Sequence, residues 1–423
     1  MRKRSVFIVF LILCIWFYIS FVTNILGPLI PVIIDNFRLS LTLAGFLPFS
    51  FFLAYGVMSI PAGMFTERYG EKTAMLVAFG FTFTGALFFA LFPVYRIALV
   101  SLFTIGIGMA ILQVVINPLM RVAGGEEHFA FNSVLGQLVF GAGSFVSPFV
   151  FSYMMQNVPV RPGEGNVLTT TLSSLVPHEL PWVSLYWIFV IGGILMFVIM
   201  ASVHLPRVEL KEDEKTGAVR GYLQLLGQKK IILFFLGIFA YVGTEQTLAN
   251  WMSKFLKTYH GFDPVVQGAT AVAWFWGLMS IGCLVGLVIL KLVDSKKVLR
   301  IFSLLAMADV ALALFGPARL SLLAFPAAGF FISVMYSVIV SLALNSVDKH
   351  HGTFSGILCT GILGGAVIPL IVGWLGDHLG LRTGMLFVYI TLGYILFISV
   401  WAKPLINNKT VSLAALFGKK QTG

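Results

Sequence analysis

Twelve apolar stretches, each about long enough to cross a lipid bilayer, follow one another along this chain. The polar residues between them place the stretches near 5–33, 40–66, 72–93, 95–122, 130–155, 181–205, 229–258, 264–292, 296–315, 319–347, 352–376 and 382–403. Lipid offers no water to the backbone, so such stretches form helices or a closed barrel, and their length without alternation excludes the barrel. The sequence therefore predicts an all-α membrane protein with twelve transmembrane helices.

The two halves of the chain repeat one another. Pairs of residues lie 221 positions apart: Asn24 and Glu245 (245 − 24), Gly143 and Gly364 (364 − 143), Pro148 and Pro369 (369 − 148). Such a repeat is typical of transporters whose two bundles move around a site near the bilayer midplane. We therefore expect an amino-terminal six-helix bundle (1–205), a linker (206–228), a carboxyl-terminal six-helix bundle (229–403) and a tail (404–423).

The net charge of +11 indicates topology rather than a nucleic-acid partner. Only 11% of the residues are charged, against roughly 25% in a soluble domain. If the amino terminus is cytoplasmic, most basic residues fall on cytoplasmic loops, and the outer side receives only Arg38, Arg96, Arg161, Lys254, Lys257, Arg319 and Arg382. We expect a multi-pass protein of the plasma membrane, the inner membrane of a bacterium, with both termini in the cytoplasm.

One loop motif links the second and third stretches. The segment 63–72 reads Gly-Met-Phe-Thr-Glu-Arg-Tyr-Gly-Glu-Lys, and it resembles the signature loop of the major facilitator superfamily, with Glu67 where that family usually has Asp. An acid and a base at a helix end can bind a neighbouring helix in one conformation and release it in another. Glu67, Arg68 and Lys72 are therefore predicted gating residues, although capping and orientation of the helix are an alternative role.

A second segment has the same spacing but a different predicted location. Gly373, Asp377, Gly380 and Arg382 repeat the positions of Gly, acid, Gly and base in the loop motif. The topology places this segment on the outer side. We therefore do not count it as a cytoplasmic gate.

A more specific resemblance covers most of the chain. Gln113 to Pro118, Asn132 to Gln137, the run Tyr-Val-Gly-Thr-Glu at 241–245 and the run Gly-Gly-Ala-Val-Ile-Pro at 364–369 resemble the fucose:proton symporter family, which contains fucose, glucose, galactose and mannose carriers. The resemblance implies a transporter of monosaccharides. Fucose carriers of that family have acids where this chain has Asn24 and Gln113, and an amide cannot release a proton, which weakens fucose relative to other hexoses.

Carboxamides inside the first half are candidates for sugar binding. Each offers one acceptor and two donors, which suits neighbouring sugar hydroxyls. Gln113 and Asn117 are four residues apart and share a helix face. We predict that Asn24, Gln113, Asn117 and Gln137 form the amino-terminal part of a sugar site, while hydrogen bonds between helices are the alternative for each.

Glu245 is the one carboxylate that the stretches place far from both helix ends. An ionisable group at that depth is a functional candidate, and we predict that it couples transport to a proton or to sodium. Asp309 lies nearer the outer end of its stretch, where we expect it to be solvated or capped.

Rings inside the carboxyl-terminal stretches can stack on a sugar. We keep Tyr241, Trp251 and Trp274 as predicted contacts and leave out Trp276 and Tyr336. In a chain that is 14% aromatic, packing is the alternative for each ring.

We conclude that the sequence predicts a cation-coupled monosaccharide symporter that works by alternating access. It is not expected to be an enzyme, since it carries no grouped His and Cys residues and no phosphate-binding Gly-rich loop. The expected partners are a monosaccharide, a proton or sodium ion and the lipid bilayer, with no nucleic acid, no cofactor, no bound metal and a monomeric state. A facilitative sugar uniporter, a drug:proton antiporter of the same fold and a sugar-sensing receptor remain alternatives.

Overall fold

The computed structural model describes residues 6–125, 129–158, 166–205, 225–347 and 351–405. Most of the predicted linker (206–224) and of the predicted tail (406–423) lies outside these ranges. Within the described ranges, twelve helical spans are long and apolar enough to cross a membrane. The prediction of an all-α protein with twelve transmembrane helices is confirmed.

We number the spans in chain order. The first six contain the helices Val6–Thr23 and Leu26–Phe37 (span 1), Leu41–Tyr69 (span 2), Glu71–Leu91 (span 3), Tyr95–Gly124 (span 4), Phe129–Asn157 (span 5), and Pro181–Val183 with Ser184–Ser202 (span 6). The second six contain Lys229–His260 (span 7), Pro264–Gly268 with Ala269–Leu292 (span 8), Ser295–Phe315 (span 9), Ala318–Ile332 with Met335–Leu344 (span 10), His351–Thr360, Gly361–Leu363 and Gly364–Leu379 (span 11), and Leu381–Met385 with Val388–Trp401 (span 12). These bounds agree with the sequence prediction to within about four residues.

One further helix, Val167–Leu175, lies between spans 5 and 6 and was not predicted. Asn166 begins it, because its side chain accepts a hydrogen bond from the backbone of Thr169, whose own side chain bonds back to Asn166. This reciprocal pair satisfies two backbone donors that a helix start leaves without partners.

Buried apolar side chains form two clusters. One draws almost entirely on spans 1 to 6 and the other mainly on spans 7 to 12. A few residues cross over, since Ala269 and Ala366 join the first cluster while Ile30 and Ala44 join the second. The halves therefore pack as two bundles in contact, and we keep 1–205 and 229–403 as their predicted limits.

The sequence repeat corresponds to a repeated close approach of helices. A Cβ atom added to Gly143 would lie 2.6 Å from the carbonyl oxygen of Phe17 in span 1. One added to Gly364 would overlap the carbonyl of Phe239 in span 7. The two partners are 222 positions apart (239 − 17), so in each half a glycine lets one helix touch the backbone of that half's first helix.

Two tight turns lie on opposite faces of the membrane. Gly70 joins spans 2 and 3 with a φ of 83°, and Gly380 joins spans 11 and 12 with a φ of 84°, a conformation that favours glycine. We call the face with Gly70 the linker face, since span 6 ends there at Ser202 and span 7 begins there at Lys229. We call the face with Gly380 the far face.

Candidate functional site

Glu245 is the centre of a hydrogen-bonded cluster in the middle of span 7. Its Oε2 accepts a hydrogen bond from the Tyr241 hydroxyl at 2.7 Å, and its Oε1 accepts one from the Gln246 amide at 3.1 Å. Tyr241 and Glu245 are four residues apart, which places them on one helix face. Tyr241 is buried, whereas Glu245 keeps part of its surface exposed. The cluster thus holds a carboxylate in a fixed position with part of its surface exposed.

The ring of Tyr241 continues this cluster towards span 10. Its centroid lies 5.7 Å from that of Tyr336. On the other side, the Asn250 amide approaches the Gln246 oxygen at 3.4 Å. Among these residues, Tyr241 and Glu245 were predicted as site residues, and the structure brings them together.

Asn24 lies where span 1 is interrupted between its two helices. Its Nδ2 donates a hydrogen bond to the Ser144 hydroxyl of span 5 at 2.8 Å. Ser144 in turn donates to the carbonyl of Phe140. The bond joins two helices of the amino-terminal half, and Asn24 is 4% exposed. The sequence gives no sign of Ser144 as the partner, because a serine beside Gly143 has no distinguishing pattern.

The other predicted amides lie nearer the linker face. Gln113 is half-buried in span 4, and Gln137 is exposed eight residues after the start of its helix. Gln137 shares a helix face with Gly141 and Phe145, and both of these contact span 8. The Gln137 side chain is therefore on the side of span 5 that faces the other half. The side chain of Asn117 lies outside what the structure describes, so its role stays a prediction.

The predicted tryptophans occupy different surroundings. Trp251 is fully buried, and its indole N–H donates to the carbonyl of Pro369 at 3.0 Å. Trp274 is 45% exposed and meets Phe145 of span 5 edge-on, with ring centroids 5.3 Å apart. Trp276, which we left out, is 3% exposed. Contact of Trp251 and Trp274 with a sugar stays a prediction.

The expectation for Asp309 is wrong. This residue of span 9 is 8% exposed, and its Oδ2 accepts no hydrogen bond within the described part of the chain. Position along a span gives depth in the membrane, but the direction of the side chain decides burial. Asp309 points into the packed bundle, with Val310 and Ala306 buried beside it.

The predicted gating residues lie at the linker face. Lys72 donates to the carbonyl oxygens of Ala201 at 2.8 Å and Val203 at 2.9 Å, at the end of span 6. Arg68 ends span 2 with its guanidinium 5.3 Å from the ring centroid of Tyr69. These lysine bonds complement the carbonyl end of a helix in the same half. The gating role of Glu67, Arg68 and Lys72 stays a prediction.

Polar bonds at the far face join the two halves. Asp377 of span 11 accepts hydrogen bonds from the backbone of Leu41 and of Thr42, both at 2.8 Å, at the start of span 2. Asp35 of span 1 forms an ion pair with Lys257 of span 7. An acid at a helix start satisfies backbone donors and interacts favourably with the helix dipole.

Glycines bring the halves into backbone contact on the same side of the membrane. A Cβ atom added to Gly373 would lie 2.5 Å from the carbonyl oxygen of Leu41. One added to Gly27 would lie 2.5 Å from that of Ala249. The far face is therefore closed by direct contact between bundles.

Comparisons with known proteins agree with this architecture. A family model described as Major Facilitator Superfamily matches residues 11–368. A glucose/galactose transporter of Brucella abortus is 30% identical over 397 residues, covering 90% of this chain and 91% of that protein. An L-fucose-proton symporter of Escherichia coli is 25% identical over 395 residues, covering 90% and 89%.

Solved structures share the fold at lower identity. A crystal structure of the E. coli fucose:proton symporter has a TM-score of 0.67 at 21% identity, covering 95% of this chain and 100% of that one. A bacterial homolog of the human lysosomal transporter Spinster, crystallised in an inward-facing conformation, has a TM-score of 0.73 at 18% identity, covering 93% and 96%.

Proposed function

Because the chain belongs to the Major Facilitator Superfamily, we propose that it is a secondary active transporter that moves a hexose-type monosaccharide by alternating access. Transport is coupled to a cation in symport. The protein is a carrier and not an enzyme, and its spans contact the lipid bilayer. We place it in the plasma membrane as a monomer, with the linker face in the cytoplasm because basic residues concentrate in the loops of that face.

The Glu245 cluster is the observation that carries this proposal. Placing a carboxylate in the middle of a membrane span costs free energy unless hydrogen-bond partners compensate for it, and such residues usually have a functional role. Tyr241 and Gln246 hold both of its oxygens, and part of the side chain remains exposed. A carboxylate so held can take up a proton from one side of the membrane and release it to the other.

We favour the proton over sodium as the coupling ion. The two bonded neighbours of Glu245 are a hydroxyl and an amide N–H, both of which act as donors here. A sodium ion needs several oxygen acceptors around it, as hard cations do. Asn24 and Gln113 cannot exchange a proton, so Glu245 carries the coupling in this chain.

The substrate class rests on the relatives and on the polar groups near the midplane. The relatives are named as transporters of glucose and galactose or of L-fucose. Amides from the first half and hydroxyl or ring groups from the second suit the mixed donors and acceptors of a sugar. We propose Asn24, Gln113, Asn117, Gln137, Tyr241, Trp251 and Trp274 as sugar contacts.

Glu67, Arg68 and Lys72 act in gating at the linker face. Their position at the junction of spans 2 and 3 allows them to form contacts with the other half when the bundles close the linker face. This assignment is independent of the substrate.

Uptake by proteoliposomes tests the proposed function. The purified protein is reconstituted, and radiolabelled D-glucose, D-galactose, D-mannose and L-fucose are offered under an imposed proton gradient or, separately, a sodium gradient. We expect concentrative uptake of at least one hexose under the proton gradient. Glu245→Gln should abolish concentrative uptake and keep exchange of labelled for unlabelled sugar, because sugar binding remains while the proton site is lost.

Asp309→Asn is the matched control. It changes another carboxylate inside a span to its amide, away from the Glu245 cluster, and should keep concentrative uptake. Retention of full concentrative uptake by Glu245→Gln would contradict the coupling role. Uptake driven only by sodium would contradict the choice of ion.

Two alternatives give different results in the same vesicles. A facilitative uniporter would equilibrate sugar and never concentrate it under either gradient. A drug:proton antiporter would transport no sugar. It would export a cationic dye in exchange for protons that move down their gradient.

A further inference from the structure

One face of span 8 packs where spans 1 and 5 are in contact. Val272, Trp276 and Ser280 are spaced four apart and so lie on one helix face. A Cβ atom added to Gly27 of span 1 would lie 3.2 Å from the Val272 side chain, and Gly141 of span 5 packs directly against Ser280. Trp276 lies between these two contacts, on the face of span 8 that packs against the amino-terminal half.

The depth of Trp276 matches that of the bond between Asn24 and Ser144. Phe145 of span 5 meets Trp274 edge-on, and a Cβ atom added to Gly277 would lie 2.8 Å from the Phe145 ring. Phe145 is therefore level with residues 274–277. Ser144 is its neighbour and accepts the hydrogen bond from Asn24, which places the Asn24 carboxamide at the level of Trp276.

The polar atoms at this level that lack hydrogen-bond partners include one from each half. The indole Nε1 of Trp276 donates to no acceptor, and the Oδ1 of Asn24 accepts from no donor, within the described part of the chain. Trp276 is 3% exposed and Asn24 is 4% exposed. Buried polar atoms normally find partners, since an unmade bond leaves their lost hydration uncompensated. One atom is a donor and the other an acceptor, and they come from opposite halves.

Trp251 is in the opposite situation. Its indole N–H already donates to the carbonyl of Pro369 in its own half. A new ligand would have to break that bond before it could use the donor. Of these two buried indoles of the second half, Trp276 is the one with a donor to offer.

We propose that one hydroxyl group of the transported sugar bridges these two atoms, accepting a hydrogen bond from Trp276 Nε1 and donating one to Asn24 Oδ1. This inference rests on the proposed function as a sugar carrier. A hydroxyl is the smallest sugar group that both accepts and donates. Because the two atoms belong to spans 8 and 1, the hydroxyl is held by both bundles at once. The pair therefore determines which sugars are accepted as the halves close.

Both atoms are buried in this closed arrangement of the far face. The sugar reaches them when the bundles separate where spans 1 and 5 meet span 8, at the close contacts made by Gly27 and Gly141. Removal of the matching hydroxyl from the sugar leaves both protein atoms buried without partners, which is the situation that gives strong discrimination.

Competition with deoxy sugars tests the proposal. Uptake of labelled D-glucose by proteoliposomes is inhibited with D-glucose and with its 2-, 3-, 4- and 6-deoxy analogues, and D-galactose with its deoxy analogues is the second series. For the unmodified protein, we expect one analogue in a series to bind about tenfold or more weakly than the parent sugar. Trp276→Phe and Asn24→Ala should each bind the parent about tenfold more weakly and lose discrimination against that same analogue.

Trp401→Phe is the matched control. Its indole Nε1 is also without a partner in the described chain, but it packs on Phe234 in span 7, near the linker face. This variant should keep the discrimination of the unmodified protein. Trp276→Phe removes the N–H group together with part of the buried ring, and Asn24→Ala probes the same hydroxyl from the other half. Loss of discrimination against one analogue is therefore the readout for both, and either variant decides the outcome if the other fails to fold.

Three results would overturn the inference in distinguishable ways. If the unmodified protein takes up none of D-glucose, D-galactose, D-mannose and L-fucose, the proposed function fails before this one. If it takes up sugar but both variants keep its discrimination, the hydroxyl binds elsewhere and the inference alone fails. If the two variants lose discrimination against different analogues, the atoms do not share one hydroxyl.

Discussion

The bonds at the two membrane faces differ in what they connect. At the far face, Asp377 binds the start of span 2 and Asp35 binds Lys257, so these bonds cross from one half to the other. At the linker face, Lys72 binds the end of span 6 and Lys230 binds the carbonyl of Ser346 at 3.2 Å, within one half each. The difference indicates that opening the far face breaks bonds, whereas the named linker-face bonds travel with their bundles.

The same local pattern serves both faces. Gly70 and Gly380 have nearly equal φ values of 83° and 84°, and an acid precedes each by three residues. At the far face that acid is Asp377, which reaches the opposite bundle. The motif therefore specifies a tight turn with a carboxylate beside it, and the location decides which helix the carboxylate meets.

Gly373→Ala should have the largest effect on this comparison. Its Cβ atom would lie 2.5 Å from the Leu41 carbonyl oxygen, and backbone cannot move aside as a side chain can. We expect the far face to close poorly and D-glucose uptake to slow by about tenfold, equivalent to about 1.4 kcal/mol. Gly393→Ala is the control, since open space surrounds Gly393. Normal uptake by Gly373→Ala would show that closure does not need this contact.

Asp377→Asn should have the next largest effect. It removes a negative charge from the start of span 2 and weakens the hydrogen bonds from Leu41 and Thr42, a change of about 1 kcal/mol or roughly fivefold in the closing equilibrium. The equilibrium is measured by pulsed electron resonance between spin labels at Arg96 and Thr383, two exposed far-face residues. We expect the longer distance to gain population.

Asp263→Asn is the control for that experiment. Asp263 also accepts a backbone bond at a helix start, from Val265, but within one half. The spin-label distances should stay unchanged in this variant. An equal shift in both variants would mean that the charge acts on stability in general and not on closure.

Asp35→Asn should shift the same distances less. The side chains of Lys257 and Asp35 are 34% and 49% exposed, and exposed ion pairs contribute about 0.2–1 kcal/mol at most. We expect a change of about twofold or less in the closing equilibrium, which high salt reduces further by screening. A salt-independent shift as large as that of Asp377→Asn would contradict the smaller contribution to closure that we expect from this ion pair.

Lys230→Gln should have the smallest effect on closure. The bond to Ser346 joins spans 7 and 10 inside one half, so its loss costs about 1 kcal/mol or less of stability. We expect a slightly lower melting temperature with unchanged spin-label distances. A clear change in those distances would break the distinction between the two faces.

The spans could be predicted because hydropathy and length alone decide them. The helix Val167–Leu175 could not, since nine residues in a loop rich in Pro and Gly leave no long apolar run. Its one local signal is the capping pair of Asn166 and Thr169, which is common in sequences that form no helix. Burial of Asp309 was missed for a related reason. Hydropathy gives the depth of a residue in the membrane, but it does not determine whether its side chain points into the bundle or away from it.

The candidate site could be predicted in part. Depth identified Glu245, whereas Tyr241 was predicted only as a ring that stacks on a sugar, and its hydrogen bond to Glu245 is a finding of the structure. The bond from Asn24 to Ser144 depends on how spans 1 and 5 pack, which no local pattern encodes. The outward-facing motif at Asp377 was recognised, but its partner at Leu41 lies 336 residues away.

A midplane carboxylate also makes the carrier sensitive to voltage. Under the proposed coupling, Glu245 is neutral when it carries a proton with an uncharged sugar, and it is negative when the emptied carrier reorients. An interior-negative potential then drives the empty step outward, by up to about 2.3 kcal/mol per 100 mV for a charge that crosses the whole field. The electrical driving force would thus act on the return of the unloaded protein, and only the chemical gradient on the delivery of sugar.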